Sequence, residues 1–217
     1  MNLDTIKKVK LFKGIEEAEL QSLLSCLSAE AVYYEKDQTI FFSGESIEQF
    51  GIVLSGQVKV VNDDYYGNRN ILAKIDAGNL FGESFAYAAI DSLPVSVITT
   101  TECELLFINH RRLAAPRPRA CAFHSRLIWN MLNIVSVKNI MLTQKIEFTS
   151  KRTTREKLLA YLSAEAKKTG SSRFSIPFNR QELADYLAVE QSAMSAELSK
   201  LRNDGMLNFH KNQFELL

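Results

Sequence analysis

The sequence predicts an α+β protein with an N-terminal β-roll, one long central helix, and a C-terminal unit in which two short helices precede a β-hairpin. Three observations carry this prediction. Short β-rich runs separated by turn residues recur between Val32 and Asn109, an apolar helical stripe extends over residues 122–148, and two amphipathic helices follow each other between residues 179 and 201. The length of 217 residues allows one large domain or two modest ones.

Composition limits the classes of protein to which the chain can belong. Hydrophobic residues make up 46% and charged residues 24%, as is ordinary for a folded protein. No apolar run approaches the roughly 20 residues that span a bilayer, and the N-terminus lacks the apolar core of a signal peptide. We therefore expect no membrane partner and a cytoplasmic location. The three cysteines (Cys26, Cys103 and Cys121) are scattered and odd in number, which argues against a disulfide framework.

The N-terminal unit, which we assign to residues 1–121, begins with one helix and continues in strands. Leucines at positions 20, 23, 24 and 27 form a helical stripe within residues 15–30. The β-rich runs that follow are separated by turn signals such as DDYYGN, which is typical of a hairpin tip. Many short strands at close spacing indicate an antiparallel barrel or jelly roll.

The central helix, assigned to residues 122–148, follows a break at Pro116 and Pro118. Its apolar stripe is too wide for one shallow contact, so we expect one flank to pack on the roll and the other on a second copy of the chain. The residues expected at this dimer interface are Leu127, Met131, Ile134 and Met141. A helix buried within a single chain is the alternative.

The C-terminal unit, residues 149–217, has the pattern of a helix-turn-helix. The first helix keeps Leu183, Ala184 and Leu187 on one face, and the second keeps Met194, Leu198 and Leu201 on one face. Asn179 with Glu182 three residues later matches a capping box at the start of the first helix. The second helix of such a motif enters the DNA major groove, and MLNFH and QFELL predict a hairpin, or wing, after it.

Several polar residues of this unit are candidate DNA contacts. The expected set is Arg180, Gln191, Ser192, Ser195, Ala196, Ser199, Lys200, Arg202 and Lys211. Gln191 can pair with adenine, Ala196 offers a methyl group to thymine, and the cations can contact phosphates. For each cation the alternative is a solvated surface charge. Arg152 and Arg155, near the hinge at residues 149–154, are expected to be structural and to pair with the central helix or the roll.

Four motifs occur in a specific order along nearly the whole chain: LFKGI, LSGQVKV, GNLFGES and NRQELADYL…SAMSAELSKLRNDGML. In this respect the chain resembles the cyclic-AMP receptor protein/FNR family of bacterial transcription regulators. The resemblance implies a double-stranded β-helix (jelly-roll, cyclic-nucleotide-binding-like) sensor, a dimerisation helix and a winged helix-turn-helix. It also implies a homodimer on double-stranded DNA, an unknown small-molecule effector, and RNA polymerase as a further candidate partner.

The first departure from the family pattern concerns the ligand. Members that bind cyclic AMP hold its phosphate with an Arg-Ser pair, and Pro94 and Val95 stand about where that pair belongs. An apolar pair cannot neutralise a buried phosphate, so we expect no tight binding of cyclic AMP. The candidate effector-pocket residues are Phe81, Gly82, Glu83, Ser84, Pro94, Val95, Ser96, Asn130 and Asn133. A purely structural role for Gly82 and Glu83 is the alternative.

The second departure lies on the recognition helix. Many members begin that helix with Ser-Arg and carry a further Arg one turn later, whereas this chain has Glu190, Gln191 and Ser192 and then Ala196. Glu190 can cap the helix. Because each bidentate arginine supplies about 1–3 kcal/mol of base discrimination, we expect a weaker binder with an A·T-leaning half-site.

Other functions find little support in the residues. One cysteine in the first hundred residues cannot hold an iron–sulfur cluster, and His110 or His124 as a haem ligand, or Cys121 with His124 as a zinc site, is a weak alternative. A thiol switch at Cys103 or Cys121 stays open. We therefore expect no metal, no resident cofactor and no enzyme, since no nucleophile–base pair or phosphate-binding loop is present. The runner-up is a ligand-binding or protein-interaction module whose winged helix no longer binds DNA.

Overall fold

A computed structural model of the chain describes residues 3–63, 65, 69–114 and 122–217. The chain forms two compact units, Met1–Ser136 and Val137–Leu217, and the boundary between them lies inside the long central helix. The division at residues 121 and 148 therefore stays a prediction. The expected breaks at Pro116 and Pro118, and most of the expected hairpin tip, fall outside the described residues.

The N-terminal unit is a roll of two four-stranded antiparallel sheets, as predicted. Its strands are β1 (Glu30–Tyr34), β2 (Thr39–Phe41), β3 (Gln49–Ser55), β4 (Gln57–Asp63), β5 (Arg69–Asp76), β6 (Leu80–Phe81), β7 (Ser96–Thr99) and β8 (Cys103–Asn109). One sheet has the order β1-β8-β3-β6 and the other β2-β7-β4-β5. Strand β8 pairs on both sides and is buried along most of its length, which its apolar sequence CELLFIN allows.

Helices cover the roll on one side. They are α1 (Leu3–Lys7), α2 (Glu17–Cys26), α3 (Glu83–Ala88), α4 (His110–Ala114) and the first half of α5 (Ala122–Thr149). Alternate residues of β3 serve two cores because side chains of a strand point to opposite faces. Phe50, Ile52 and Leu54 pack with the helices, while Val53 faces the interior between the sheets.

The C-terminal unit contains α6 (Thr154–Thr169), β9 (Arg173–Ser175), α7 (Arg180–Leu187), α8 (Gln191–Asn203), β10 (Leu207–His210) and β11 (Gln213–Leu216). The three strands form an antiparallel sheet in the order β10-β11-β9. The predicted capping box is confirmed, because Asn179 accepts from the Glu182 N–H and Glu182 accepts from the Asn179 N–H. A second capping box, formed by Thr153 and Glu156, begins α6.

Candidate nucleic-acid interface and sensor interior

The buried sides of α7 and α8 are those that the sequence predicts. Leu183, Ala184 and Leu187 of α7 and Met194, Leu198 and Leu201 of α8 have no exposed surface. The turn between the helices passes through Ala188, whose φ of 50° is left-handed. Lys157 of α6 donates to the carbonyl oxygens of Leu187 and Ala188 at 3.3 and 3.1 Å, and so closes the end of α7.

Glu190 caps α8 with an ionised carboxylate. It accepts from the backbone N–H groups of Ser192 and Ala193 at 3.0 and 2.7 Å and from the Ser192 hydroxyl. These bonds, led by those of Ser192, hold the pKa of the Glu190 carboxyl below its ordinary value of 4.5. Because a helix N-terminus attracts anions, Glu190 takes the N–H groups that would otherwise be available to a DNA phosphate.

The hydroxyl groups of the three candidate serines of α8 all donate hydrogen bonds within the chain. The Ser195 hydroxyl donates to the Gln191 carbonyl oxygen at 2.9 Å, and the Ser199 hydroxyl donates to the Ser195 carbonyl oxygen at 3.1 Å. The Ser192 hydroxyl donates to Glu190. Each serine therefore presents only oxygen lone pairs outward.

Gln191 and Ala196 differ from these serines because both are exposed. In the part of the chain that the structure describes, no hydrogen bond engages the Gln191 side-chain amide, so its donors and acceptor are available. Ala196 presents a methyl group five residues further along the same helix. These two side chains are the free base-contact candidates on α8.

The candidate phosphate contacts fall into two groups. Lys200 lies 3.7 Å from Glu197, and Lys211 is exposed in the turn between β10 and β11. The guanidinium carbons of Arg180 and Arg202 lie 4.8 and 5.0 Å from the centroid of the Phe209 ring. Neither arginine forms an ion pair with an acidic side chain among the described residues.

Arg155 is structural, but its partners differ from those expected. Its guanidinium donates to Glu197 at 3.2 Å and to Asp204 at 2.8 Å. Because Glu197 lies within α8 and Asp204 is its C-cap residue, Arg155 joins α6 to α8. The expectation of a partner in the central helix or the roll is wrong, because two carboxylates of α8 and its C-terminal end lie closer. No pattern of single residues indicated this pairing.

Aromatic rings fill the interior between the two sheets of the roll. The centroids of Phe41 and Phe81 are 5.7 Å apart, and those of Phe81 and Phe107 are 6.2 Å apart. The Phe81 ring lies so close to Gly51 that a Cβ atom there would meet it at 2.0 Å. Phe81, a candidate pocket residue, is thus part of a packed core.

The remaining pocket candidates of the roll differ in burial: Glu83 and Val95 are buried, Gly82 and Ser96 are half-buried, and Ser84 and Pro94 are exposed. Glu83 is 3% exposed and begins α3 directly after Gly82, whose φ is +77°. The Ser84 hydroxyl donates to Glu83 at 3.4 Å.

Of the three consecutive candidates before and in β7, Val95 is 3% exposed, Pro94 is exposed, and Ser96 accepts from the Ser43 N–H at 2.9 Å. Val95 is buried and carries no charge, so it cannot neutralise a phosphate group at this point of the roll.

The two asparagines of α5 do not act as expected for pocket residues. The Asn130 amide donates to the carbonyl oxygens of Leu11 and Lys13 at 2.8 and 2.9 Å, and thereby fastens the N-terminal segment to α5. Asn133 is exposed. Both Asn130 donor hydrogens are thus engaged within the chain, and the assignment of the two asparagines to the pocket stays a prediction.

The expected dimer interface of α5 needs a correction. Leu127 and Met131 are 0% and 5% exposed, and Ile134 is half-buried against the same core of the roll unit. They lie on the flank that packs within the chain and are not available to a second copy. Met141 lies on the same side of the helix by periodicity, although it is 61% exposed.

Large apolar side chains occupy the opposite side of α5 and face solvent. Taking 100° per residue, six of them share that side within about 80° of Leu132. They are Trp129, Leu132, Val135, Ile140, Leu142 and Ile146, with exposed fractions from 38% to 70%. We call this set the exposed face of α5.

Two further classes of site are absent from the described residues. No group of three or more His, Cys, Asp and Glu side chains is placed to hold a metal ion. None of the described helices combines the length and the apolar character that crossing a bilayer requires. Cys121 lies outside the described residues, so the alternatives of a zinc site with His124 and of a thiol switch at Cys121 are untested.

Comparison with known proteins gives matches to both units. The model of the cyclic nucleotide-binding domain matches residues 31–115, and that of the Crp-like helix-turn-helix domain matches residues 156–217. Electron transport regulator A of Shewanella oneidensis is 24% identical over 179 residues, 80% of this chain and 69% of that protein. The cAMP-activated global transcriptional regulator CRP of Haemophilus influenzae is 21% identical over 191 residues, 82% and 79% of the two chains.

A solved structure with the same fold is that of the c-di-GMP responsive global regulator CLP of Xanthomonas campestris. The TM-score is 0.60 at 19% sequence identity, and the alignment covers 93% of this chain and 99% of the CLP chain. At this identity the likeness shows the fold.

Proposed function

The chain belongs to the cyclic-AMP receptor protein/FNR family of DNA-binding transcription regulators, and on this premise we propose that it acts as a homodimer whose α8 helices bind double-stranded DNA. The observation that carries the proposal is the exposed side of α8, flanked by Arg180 and Arg202, which have no carboxylate partner among the described residues. A gel shift with the chain's own upstream DNA tests it. Binding that weakens as the salt concentration rises supports the proposal. A protein that does not bind this DNA contradicts the proposal.

The exposed face of α5 supports a dimer. Leu132, Val135, Asn139, Leu142 and Ile146 recur at alternating spacings of three and four residues, which are the a and d positions of a two-stranded coiled coil. A polar Asn at one a position is typical of a seam whose register is fixed. An exposed apolar face of this size is otherwise unfavourable in water.

The dimer has a matched test in α5 itself. We expect the double change Leu132→Glu and Leu142→Glu to give monomers in sedimentation equilibrium, because each charge would lie in the seam. Met141→Glu, which places the same charge on the opposite side, serves as the control and should leave the dimer intact. Dimers of the double variant, or monomers of the control, would contradict this interface.

The base preference follows from the two free contacts on α8. The Gln191 amide suits adenine N6 and N7, and the Ala196 methyl suits the thymine methyl. We propose an A·T-leaning half-site, repeated about one DNA turn away for the second protomer. Selection from randomised duplexes tests this, and a palindrome anchored strongly on G·C pairs would refute it.

The sensor domain is proposed not to bind cyclic AMP tightly. Pro94 and Val95 supply no phosphate partner, and the rings of Phe41, Phe81 and Phe107 occupy the space between the sheets. An unidentified small molecule would act by changing how the roll packs on Leu127 and Met131 of α5. Titration calorimetry with cyclic AMP should show no saturable heat, and micromolar affinity would contradict the proposal.

A second candidate function has one observation in its favour. The engaged serines and the Glu190 carboxylate leave α8 with few free donors, as a protein-interaction module that has lost DNA binding would have. Absence of salt-dependent DNA binding would favour it. Cytoplasmic location and contact with RNA polymerase are proposed from the family, and no catalytic step is assigned to the chain.

A further inference from the structure

Two arginines from different parts of the C-terminal unit meet at one aromatic ring. Arg180 is the first residue of α7 and Arg202 lies in the last turn of α8, whereas Phe209 belongs to β10. Both guanidinium carbons lie within 5.0 Å of the Phe209 centroid, and Arg180 also lies 5.2 Å from the centroid of Phe214. These distances are within the range of cation–π attraction.

Among the described residues, the hydrogen-bond donors of these two guanidinium groups have no acceptor. In the same unit, Arg155 donates to Glu197 and Asp204, and Arg173 donates to Glu215. For Arg180 and Arg202 no hydrogen bond or ion pair is formed within the described residues, even though both positions are fixed against rings. A guanidinium over a ring keeps its N–H edges free for bidentate bonds to an anion.

A groove of about 570 Å³ lies beside this cluster. Its lining includes Arg202, Phe209, Phe214 and His210. Arg173, which also lines it, has its charge offset by Glu215 at 2.7 Å. The groove therefore combines an open path along the wing with positive charge that has no internal partner.

We propose that Phe209 is a positioning residue for DNA binding, which holds Arg180 and Arg202 so that both bind phosphates of the DNA backbone. The inference rests on the proposed function, since it assigns part of that DNA contact. Without the ring, two long side chains would sample many rotamers, and ordering them on DNA would cost affinity. Sequence patterns gave no indication of this role, because an aromatic residue in a wing strand is ordinarily a core residue.

The test measures the affinity of the full-length dimer for a duplex of random sequence over a range of salt concentrations. Each phosphate contact contributes about −0.9 to the slope of log K against log salt. We expect Phe209→Leu to make the slope less negative by about 0.9 for each arginine whose contact is lost, and Phe209→Tyr to keep the wild-type slope. Phe178→Leu, which removes a half-buried ring stacked on Tyr186, is the control and should not change the slope.

Arg202→Met provides a second variant that does not depend on the folding of Phe209→Leu, since Arg202 is exposed. Arg202→Met should make the slope less negative by about 0.9. A folded Phe209→Leu protein with the wild-type slope, or an Arg202→Met protein with the wild-type slope, overturns the inference alone. A wild-type protein that shows no salt-dependent binding overturns the proposed function as well.

Discussion

The interior of the roll and the exposed side of α8 both lack arginines that the family pattern places there, but different groups replace them. In the roll, buried Val95 and a cluster of phenylalanine rings take up the space. On α8, Ser192 donates to the Glu190 carboxylate, and Ser195 and Ser199 donate to backbone carbonyl oxygens of the helix. We infer that the first replacement closes the roll to cyclic AMP, whereas the second moves DNA binding from the bases toward the backbone.

The strongest test of the closed roll removes one ring. Phe81→Ala should lower the free energy of unfolding by about 3–5 kcal/mol, because it opens a cavity in a packed core. Phe42→Ala, at a ring that is 54% exposed, should change it by less than about 0.5 kcal/mol. Urea unfolding measures both. Equal small losses would show that Phe81 lines an open pocket.

A second test restores the family's phosphate partners in the roll. In the double variant Pro94→Arg and Val95→Ser, we expect calorimetry to show no saturable cyclic-AMP binding, since the rings still occupy the interior. The exposure of Pro94 makes the arginine tolerable for folding. Micromolar affinity of this variant would mean that the arginine alone was missing and that the interior is open.

A third test concerns the anion at the start of α8. Glu190→Gln should strengthen binding to non-specific DNA by about 3- to 10-fold, because it removes a negative charge close to the phosphates. Glu165→Gln, which removes the same charge near the C-terminal end of α6, where no DNA contact is proposed, is the control and should have a smaller effect. Unchanged affinity in Glu190→Gln would place the start of α8 away from DNA.

The same variant has a defined pH dependence. Since hydrogen bonds lower the folded pKa of the Glu190 carboxyl below 4.5, its contribution to stability is fully present above that value and is lost as the pH falls through the lower folded pKa. The difference in Tm between wild type and Glu190→Gln should thus stay constant from neutral pH to about 5 and narrow below about 4.5. A difference that varies around pH 7 would contradict this cause.

The smallest expected effect compares two alanines, one in each region. Ala89 after α3 and Ala188 after α7 both have a φ of 50°, in the left-handed region. Changing either to Gly should stabilise the protein by up to about 1 kcal/mol, because glycine has no Cβ to strain there. Thermal unfolding measures this. A loss of stability in Ala188→Gly alone would show that the α7–α8 turn depends on the alanine side chain.

The elements could be predicted from the sequence because their signals are local. Asn179 with Glu182 marks the start of α7, and the spacing of Met194, Leu198 and Leu201 marks the buried side of α8; both predictions are confirmed. The side of α5 that meets the roll was predicted wrongly, since apolar residues surround most of the helix. Only the packing of Leu127 and Met131 decides between its two sides.

The site was less predictable than the fold. Hydrogen bonds such as that from Ser199 to the Ser195 carbonyl oxygen depend on rotamers, which the sequence does not specify. The meeting of Arg180, Arg202 and Phe209 joins three elements that are distant in sequence, so no spacing rule indicates it. The absence of a phosphate partner at Pro94 and Val95 was visible, because it needed only the residue types.

One DNA-binding titration, repeated over a salt series with and without cyclic AMP, tests whether this regulator binds DNA mainly through the backbone and without help from cyclic AMP. We expect log K to fall linearly with log salt and cyclic AMP to leave every point unchanged. Affinity that is independent of salt would exclude binding through the backbone, and affinity that rises when cyclic AMP is added would show that the roll responds to this nucleotide.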